Sequence, residues 1–169
     1  ERNRVCPVEL ANSLDNKVRR WIQNPQKILA PYLKEGMTAL DIGCGPGFFS
    51  IELAKLVGEA GKVIAADLQQ GMLQKLQDKI KGSTLEGRIK LVKCEKDTIN
   101  VSEAVDFILT FYMVHEVPDK NIFFKQLYGV LKDQGQYLLV EPKRFHVPQK
   151  EFHSTVALAE SNGLESFPG

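Results

Sequence analysis

The stretch ALDIGCGPGFFS, residues 39–50, constrains the fold more than any other part of the sequence. An apolar segment typical of a buried strand ends in Asp41, and Gly43, Gly45 and Gly47 follow before a helical pattern begins. Glycines let the chain turn tightly and let a ligand approach the backbone closely. The start of the next helix offers free N–H groups and a partial positive charge. This order of features is typical of a nucleotide-like ligand at the carboxyl edge of a doubly wound sheet.

The rest of the chain alternates between strand-like and helix-like segments. Short apolar runs favour strands, whereas apolar residues three and four apart favour helices. Alternation of this kind predicts an α/β fold with a doubly wound, mostly parallel Rossmann-like sheet and helices on both faces. We predict strands over residues 37–42, 62–66, 88–93, 105–111 and 136–140, helices over 48–57, 70–81, 119–131 and 148–161, and a turn over 133–135.

Length and charge are those of one ordinary globular domain. The 169 residues divide into an N-terminal helical cap or arm, residues 1–35, and an α/β core, residues 36–169. The net charge of +1 lacks the electrostatic footprint of a general nucleic-acid binder. We expect no membrane span, because no apolar run is long enough, and we expect no signal peptide, because residues 1–14 are charged and have no apolar core. Three scattered cysteines favour a reducing cytoplasm.

A second acidic residue narrows the choice of ligand. Asp67 ends the next strand, 20 residues beyond Gly47, where a carboxylate can accept hydrogen bonds from both hydroxyls of a ribose. Leu68 follows it and could press on an adenine ring. Phe48 argues against a dinucleotide, because it occupies the third small position of the dinucleotide fingerprint. Asp41 would repel phosphates but could accept from an ammonium group, so we predict a nucleoside that carries an amino acid.

These residues resemble a known family. The segments ALDIGCGPGFFSIELAKLVG and VIAADL are similar to the first two motifs of class I S-adenosylmethionine-dependent methyltransferases, in the subgroup with a small, uninserted domain, and the resemblance covers residues 36–141. It implies S-adenosylmethionine as the cofactor, with the glycine loop under its methionine part. It places Glu95 near the adenine amino group, although the family usually has a Gly-Asp pair there. The implied cofactor-binding residues are Asp41, Gly43, Cys44, Gly45, Gly47, Asp67, Leu68, Glu95, Thr110 and Phe111.

The fourth predicted strand carries further candidates in the segment VDFILTFYMVHEV. The resemblance implies that Thr110 and Phe111 line the cofactor beside its sulfonium. His115 follows at the mouth of the site, where it could act as a general base or form a hydrogen bond across the loop. Glu141, after the fifth strand, could touch the substrate or bind one of the basic residues that follow it.

The cysteines and the remaining histidines favour structural roles. Nothing in the spacing of Cys6, Cys44 and Cys94 brings the three thiols together, which disfavours an arsenite-methylating function. His146 and His153 fit surface positions better than metal ligands. The sequence therefore predicts no metal site.

The sequence thus predicts a methyltransferase that transfers the methyl group of S-adenosylmethionine to a small-molecule acceptor. Its work is mostly positioning, because the sulfonium already carries an activated leaving group, and no catalytic side chain is assigned. Trp21 and Tyr32 could form a lid or pack on the flank of the sheet. The alternatives are a non-catalytic S-adenosylmethionine-binding subunit and an NAD-dependent oxidoreductase. The C-terminal edge hairpin usual in the family has no counterpart here, so we expect the native chain to continue beyond Gly169.

Overall fold

Five strands form one sheet within residues 24–142 and 147–167, the part of the chain that the computed structural model describes. The strands are β1 Thr38–Ile42, β2 Lys62–Asp67, β3 Ile89–Lys93, β4 Val105–Phe111 and β5 Leu131–Val140. Every neighbouring pair is parallel, and the order across the sheet is β3-β2-β1-β4-β5. The winding therefore reverses between β1 and β4, and sheets of this kind bind ligands at the carboxyl edge beside such a reversal.

Helices cover both faces of this sheet. They are α1 Pro25–Leu29, α2 Ser50–Leu56, α3 Gln70–Ile80, α4 Lys120–Val130 and α5 Gln149–Ser161. In α1 the side chain of Asn24 caps the first turn by accepting a hydrogen bond from the N–H of Lys27 at 3.1 Å. Asp119 caps α4 by accepting from the N–H of Ile122 at 3.0 Å. Both residue types are good helix caps, because their short side chains satisfy N–H groups that have no partner within the helix.

The sheet separates two hydrophobic cores. Ala39 of β1 belongs to the core under α1, α2 and α3, whereas Leu40 belongs to the core under α4 and α5. Successive side chains of a strand point to opposite faces, so a strand buried on both faces needs apolar residues at nearly every position. This arrangement confirms the predicted doubly wound α/β fold.

The start of β5 differs from the sequence prediction. The strand begins at Leu131, directly after α4, and residues 133–135 lie within it and do not form a separate turn. The pairing moves from Val105–Leu131 to Phe107–Gln136, so β5 advances five residues while β4 advances two. The Asp-Gln-Gly sequence that suggested a turn therefore forms an irregularity in an extended strand, as bulges do at sheet edges.

The N-terminal segment is described from Asn24 onward. The ring of Tyr32 stacks on Phe107 of β4 with centroids 6.0 Å apart, so Tyr32 packs on the flank of the sheet. Trp21, the other residue considered for a lid, lies outside the described residues. Within the described ranges, no helix combines the length and the apolar character needed to cross a membrane.

Candidate functional site

A cleft of about 710 Å³ lies at the carboxyl edge of the sheet. Its walls come from the segments that follow β1, β2, β3 and β4 and from the first turns of α4. Small-molecule sites are typically concave and have volumes of roughly 300–1,000 Å³. The cleft is therefore large enough for a nucleoside that carries an amino acid.

The glycine loop after β1 is held against the end of β2. The N–H groups of Gly43 and Cys44 both donate to the carbonyl oxygen of Ala66, at 2.8 and 3.1 Å. The N–H of Gly45 donates to Oδ2 of Asp67 at 2.8 Å. Lys79 of α3 donates to the carbonyl oxygen of Pro46 at 2.7 Å. These contacts fix the loop along one wall of the cleft.

Two glycines of this loop have different roles. Gly45 lines the cleft with φ +52°, and a Cβ atom placed on it would meet nothing within 4 Å. Gly47 does not line the cleft, and its Cβ would lie 2.2 Å from Cδ1 of Leu76. A glycine is needed at position 47 because the buried Leu76 of α3 occupies the space, and the contact of Gly47 with the ligand stays a prediction.

Asp41 lies buried at the end of β1, with its side chain next to the first residue of α2. The hydroxyl of Ser50 donates to Oδ2 of Asp41 at 2.5 Å. Burial raises the pKa of Asp41 to about 7, an effect that the Ser50 hydrogen bond opposes and the nearby Asp67 reinforces. Asp41 therefore gains or loses its proton near neutrality, and a cationic group in the cleft would favour the ionised form.

Asp67 ends β2 and holds two backbone N–H groups. Oδ1 accepts from Gln69 at 2.7 Å, and Oδ2 accepts the Gly45 bond described above. Burial raises the pKa of this carboxyl, although the backbone hydrogen bonds act in the opposite direction. Asp67 also lines the cleft, beside Leu68, so its remaining lone pairs can accept from a ligand hydroxyl.

The segment after β3 forms the next part of the wall. The N–H of Cys94 donates to the carbonyl oxygen of Asp67 at 2.9 Å, which continues the β2–β3 pairing by one residue. Glu95 lines the cleft with an exposed side chain, 3.7 Å from the ammonium group of Lys93. The sequence-predicted residues of the first three strand ends are therefore adjacent along one edge.

Thr110 and Phe111 at the end of β4 separate in the structure. Phe111 lines the cleft and packs on Phe49 and Tyr112, with ring centroids 4.3 and 4.4 Å apart. Thr110 is fully buried, does not line the cleft, and forms a 2.8 Å hydrogen bond with the hydroxyl of Tyr137. The side chain of Thr110 is therefore held within the sheet by Tyr137, and its contact with the cofactor stays a prediction.

The loop between β4 and α4 contains a histidine–carboxylate pair. Nδ1 of His115 lies 2.5 Å from Oε2 of Glu141, and the backbone N–H of His115 donates to Oε1 at 3.1 Å. Neither residue lines the cleft, whereas Met113 and Glu116 on the same loop do. Of the two roles considered for His115, the structure contains the hydrogen bond across the loop. Burial raises the pKa of Glu116, and the neighbouring His115 opposes that effect.

Two free cysteines, Cys44 and Cys94, line the same cleft. Their spacing had given no reason to place them together, but β1 and β3 both neighbour β2, so their carboxyl ends converge. Burial raises the pKa of Cys94 to about 12 and that of Cys44 well above its ordinary value, so both are uncharged thiols rather than reactive thiolates. His153 is exposed on α5, and Cys6 and His146 lie outside the described residues.

The family model for a methyltransferase domain matches residues 33–163. The chain belongs to this methyltransferase family. The match covers the whole sheet and the helices α2 to α5, and it confirms the resemblance found in the sequence motifs.

Individual relatives agree with this methyltransferase assignment. Over 110 residues, 64% of the chain, the domain is 34% identical to the demethylmenaquinone methyltransferase of Lactobacillus johnsonii and 30% identical to the ubiquinone/menaquinone biosynthesis C-methyltransferase UbiE of Haemophilus ducreyi. The alignments cover 45% and 42% of those proteins, so the chain spans less than half of their length. A SAM-dependent methyltransferase from Aquifex aeolicus superposes with a TM-score of 0.83 at 29% identity, over 95% of this chain and 90% of that chain.

The site of this methyltransferase domain includes residues that the sequence reasoning missed. Ser50 contacts Asp41, Met113 lies against Gly43, and Gln126 of α4 lines the cleft. Ser50 had a recognisable signal, since it is a polar residue inside the apolar run FFSIEL. Met113 and Gln126 had none, because their contacts join segments far apart in sequence.

Proposed function

We propose that this chain binds S-adenosylmethionine in the cleft and transfers its methyl group to a small-molecule acceptor. One observation carries the proposal: the carboxylate of Asp67, the open Gly45 and the buried carboxylate of Asp41 line a single cleft. This set offers an acceptor for ribose hydroxyls, a bare backbone for close approach, and an acidic group for an ammonium. A nucleoside that carries an amino acid matches all three groups.

The order of the strands sets the direction in which the cofactor lies. In related nucleotide sites the acidic residue after the second strand holds the ribose, and the glycine loop holds the part of the ligand beyond it. The methionine part would then lie over Gly43 and Gly45, near Asp41. The adenine would lie on the opposite side of Asp67, between Leu68 and the segment that contains Glu95.

The charge of the cleft supports this ligand over a dinucleotide. Lys96 is the basic residue along its walls, and the acidic residues there are more numerous. The acidic residues are Asp41, Asp67, Glu95, Asp97, Glu116 and Asp119. A pyrophosphate would be repelled by this set, whereas the sulfonium and ammonium of S-adenosylmethionine would be attracted. The position of Phe48 after the loop agrees, since it does not provide the small residue of the dinucleotide fingerprint.

The chain's own residues would mainly position the reactants. When bound, S-adenosylmethionine supplies a methyl group on a sulfonium, and the sulfur part is the leaving group, a neutral thioether. The acceptor side would be formed by the end of β4, where Phe111, Tyr112 and Met113 line the cleft and keep water from the transfer. Since the wall here is largely apolar, it suits a small organic acceptor better than a nucleic acid.

The two unpaired cysteines support an intracellular setting. Cys44 and Cys94 are both free within the described part of the chain. Unpaired cysteines are usual in proteins of the cytoplasm, where glutathione and thioredoxin keep thiols reduced. We infer a cytoplasmic methyltransferase on that ground.

Calorimetric titration with S-adenosylmethionine, S-adenosylhomocysteine and NAD tests cofactor choice. The proposal expects micromolar binding of the first two and none of NAD. Transfer is tested by incubating the chain with methyl-labelled S-adenosylmethionine and a small-molecule extract, then measuring S-adenosylhomocysteine and the labelled product. Binding without product would favour the non-catalytic subunit, and binding of NAD instead would favour the oxidoreductase.

A further inference from the structure

The side chain of Gln126 connects α4 to the segment that follows β3. Oε1 of Gln126 accepts from the N–H of Ile99 at 2.9 Å, and Nε2 donates to the carbonyl oxygen of Asp97 at 2.9 Å. A longer contact of 3.4 Å joins Nε2 to the carbonyl oxygen of Ile122 within the same helix. The two shorter bonds therefore leave the helix and hold the loop.

This loop keeps its shape mainly through hydrogen bonds, among them a 3.4 Å contact from Sγ of Cys94 to the carbonyl oxygen of Ile99. Residues 95–97 are exposed, so they bury little apolar surface. The N–H of Glu95 donates to the carbonyl oxygen of Thr98 at 2.9 Å, which closes a tight turn. At its far end Asn100, with φ +55°, donates from Nδ2 to the carbonyl oxygen of Lys93 at 2.9 Å. Gln126 thus holds the side of the loop that faces α4.

The chemistry of the contact requires an amide. The loop offers one N–H and one carbonyl oxygen, and a glutamine side chain supplies one acceptor and one donor at matching positions. A carboxylate would set an acceptor against the carbonyl oxygen of Asp97. An alkyl side chain would leave both backbone groups of the loop without this partner.

We propose that Gln126 is a positioning residue for the purine end of the cofactor. The inference rests on the proposed function, in which the adenine lies against the segment that contains Glu95. A loop that is already ordered before binding spares the ligand the entropy cost of ordering it. Gln126 lines the cleft beside Asp97 and Ile99, the two loop residues that it holds, so its effect falls on binding of the adenosine part rather than on methyl transfer.

The test compares two ligands that share adenosine and differ in the amino acid part. S-adenosylhomocysteine and 5′-methylthioadenosine are titrated into the unchanged chain, Gln126→Ala, Gln126→Glu and the control Gln74→Ala. Gln74 is an exposed glutamine of α3 whose Nε2 donates to Asp78 of the same helix at 2.9 Å. Hydrogen exchange of the Ile99 amide is followed in the same proteins, together with their thermal stability.

The expected result is a loss of about five- to thirtyfold in the affinity of Gln126→Ala for both ligands, the scale of one or two lost hydrogen bonds. The Ile99 amide should exchange faster in Gln126→Ala, and Gln74→Ala should match the unchanged chain. Gln126→Glu keeps an acceptor for Ile99 and the size of the side chain, so it should stay folded, protect the Ile99 amide and still bind both ligands more weakly.

The possible failures are distinguishable. If the unchanged chain binds neither ligand, the proposed function itself is wrong, and this inference falls with it. If the unchanged chain binds both and the two Gln126 variants bind equally well, Gln126 does not position the loop for the ligand. A loss confined to S-adenosylhomocysteine would also overturn the inference, since it would place the effect at the amino acid end.

Discussion

One carboxylate, that of Glu141, binds both the ring and the backbone of His115. The ring Nδ1 lies 2.5 Å from Oε2, the backbone N–H donates to Oε1 at 3.1 Å, and the side chain of Glu141 is only 4% exposed. Because Glu141 follows β5 and His115 lies between Met113 and Glu116, the pair ties the end of one strand to the loop that lines the cleft.

Replacing His115 should therefore destabilise the fold. His115→Ala leaves a buried carboxylate without its ring partner, which costs about 1–3 kcal/mol in the free energy of unfolding. Urea denaturation measures the change, with the exposed His153→Ala as the control. In the double variant His115→Ala, Glu141→Ala the loss should be smaller than the sum of the single losses. Strict additivity would mean that the two residues do not interact in solution.

The stability of the protein should depend on pH through Asp41. Burial raises its pKa from the ordinary 3.8 to about 7, so the folded protein holds this proton to higher pH than the unfolded chain does. The contribution to stability is complete below about pH 4 and is lost as the pH rises through 7. Asp41→Asn removes this loss and should be more stable than the unchanged chain at pH 8, by on the order of 4 kcal/mol at most.

Urea denaturation between pH 5 and pH 8 checks this expectation for Asp41. The difference in the free energy of unfolding between the variant and the unchanged chain should grow with pH and level off above the pKa of Asp41. A difference that stays constant over this range would show that Asp41 does not titrate there. Asp41→Asn should bind S-adenosylhomocysteine more weakly despite its greater stability, because it has lost the negative charge proposed for the ammonium.

The sequence predicted which strand ends meet at the site better than it predicted how individual side chains pack there. Parallel strands bring their carboxyl ends to one edge, so the order strand, Asp41, glycine loop, helix, strand, Asp67 was enough to place these groups together. The burial of Thr110 could also be predicted from the sequence. Thr110 lies two residues after the buried Ile108, so the two side chains point to the same face of the sheet. The reason for a glycine at position 47 could not be predicted. It depends on contact with Leu76, and no local pattern shows where the helix that carries Leu76 will pack.

Asp67 should be required for binding the ribose. Its oxygens accept from Gly45 and Gln69, so Asp67→Ala removes both the proposed ribose contact and two supports of the wall. We expect the binding free energy of S-adenosylhomocysteine to weaken by about 1–3 kcal/mol, which is roughly a five- to 150-fold loss of affinity. Calorimetry measures this, with Asp78→Ala on the exposed side of α3 as the control. An unchanged affinity would remove Asp67 from the ribose site.

The same substitution at two glycines of one loop should separate binding from stability. Gly47→Ala places a Cβ 2.2 Å from the buried Leu76, at φ +88°, and should cost about 2–4 kcal/mol of the free energy of unfolding. Gly45→Ala meets no neighbouring atom, so its cost should be limited to about 1–2 kcal/mol for the left-handed backbone.

Binding should show the opposite order. The added methyl group of Gly45→Ala occupies open space along the cleft, where the cofactor is proposed to approach the backbone, so the affinity for S-adenosylhomocysteine should fall about tenfold or more. Gly47→Ala, studied at a temperature where it remains folded, should keep most of its affinity because residue 47 does not line the cleft. Thermal unfolding and calorimetry on the two variants decide the matter: if Gly47→Ala loses the ligand while Gly45→Ala retains it, the ligand lies on the other side of the loop from the cleft described here.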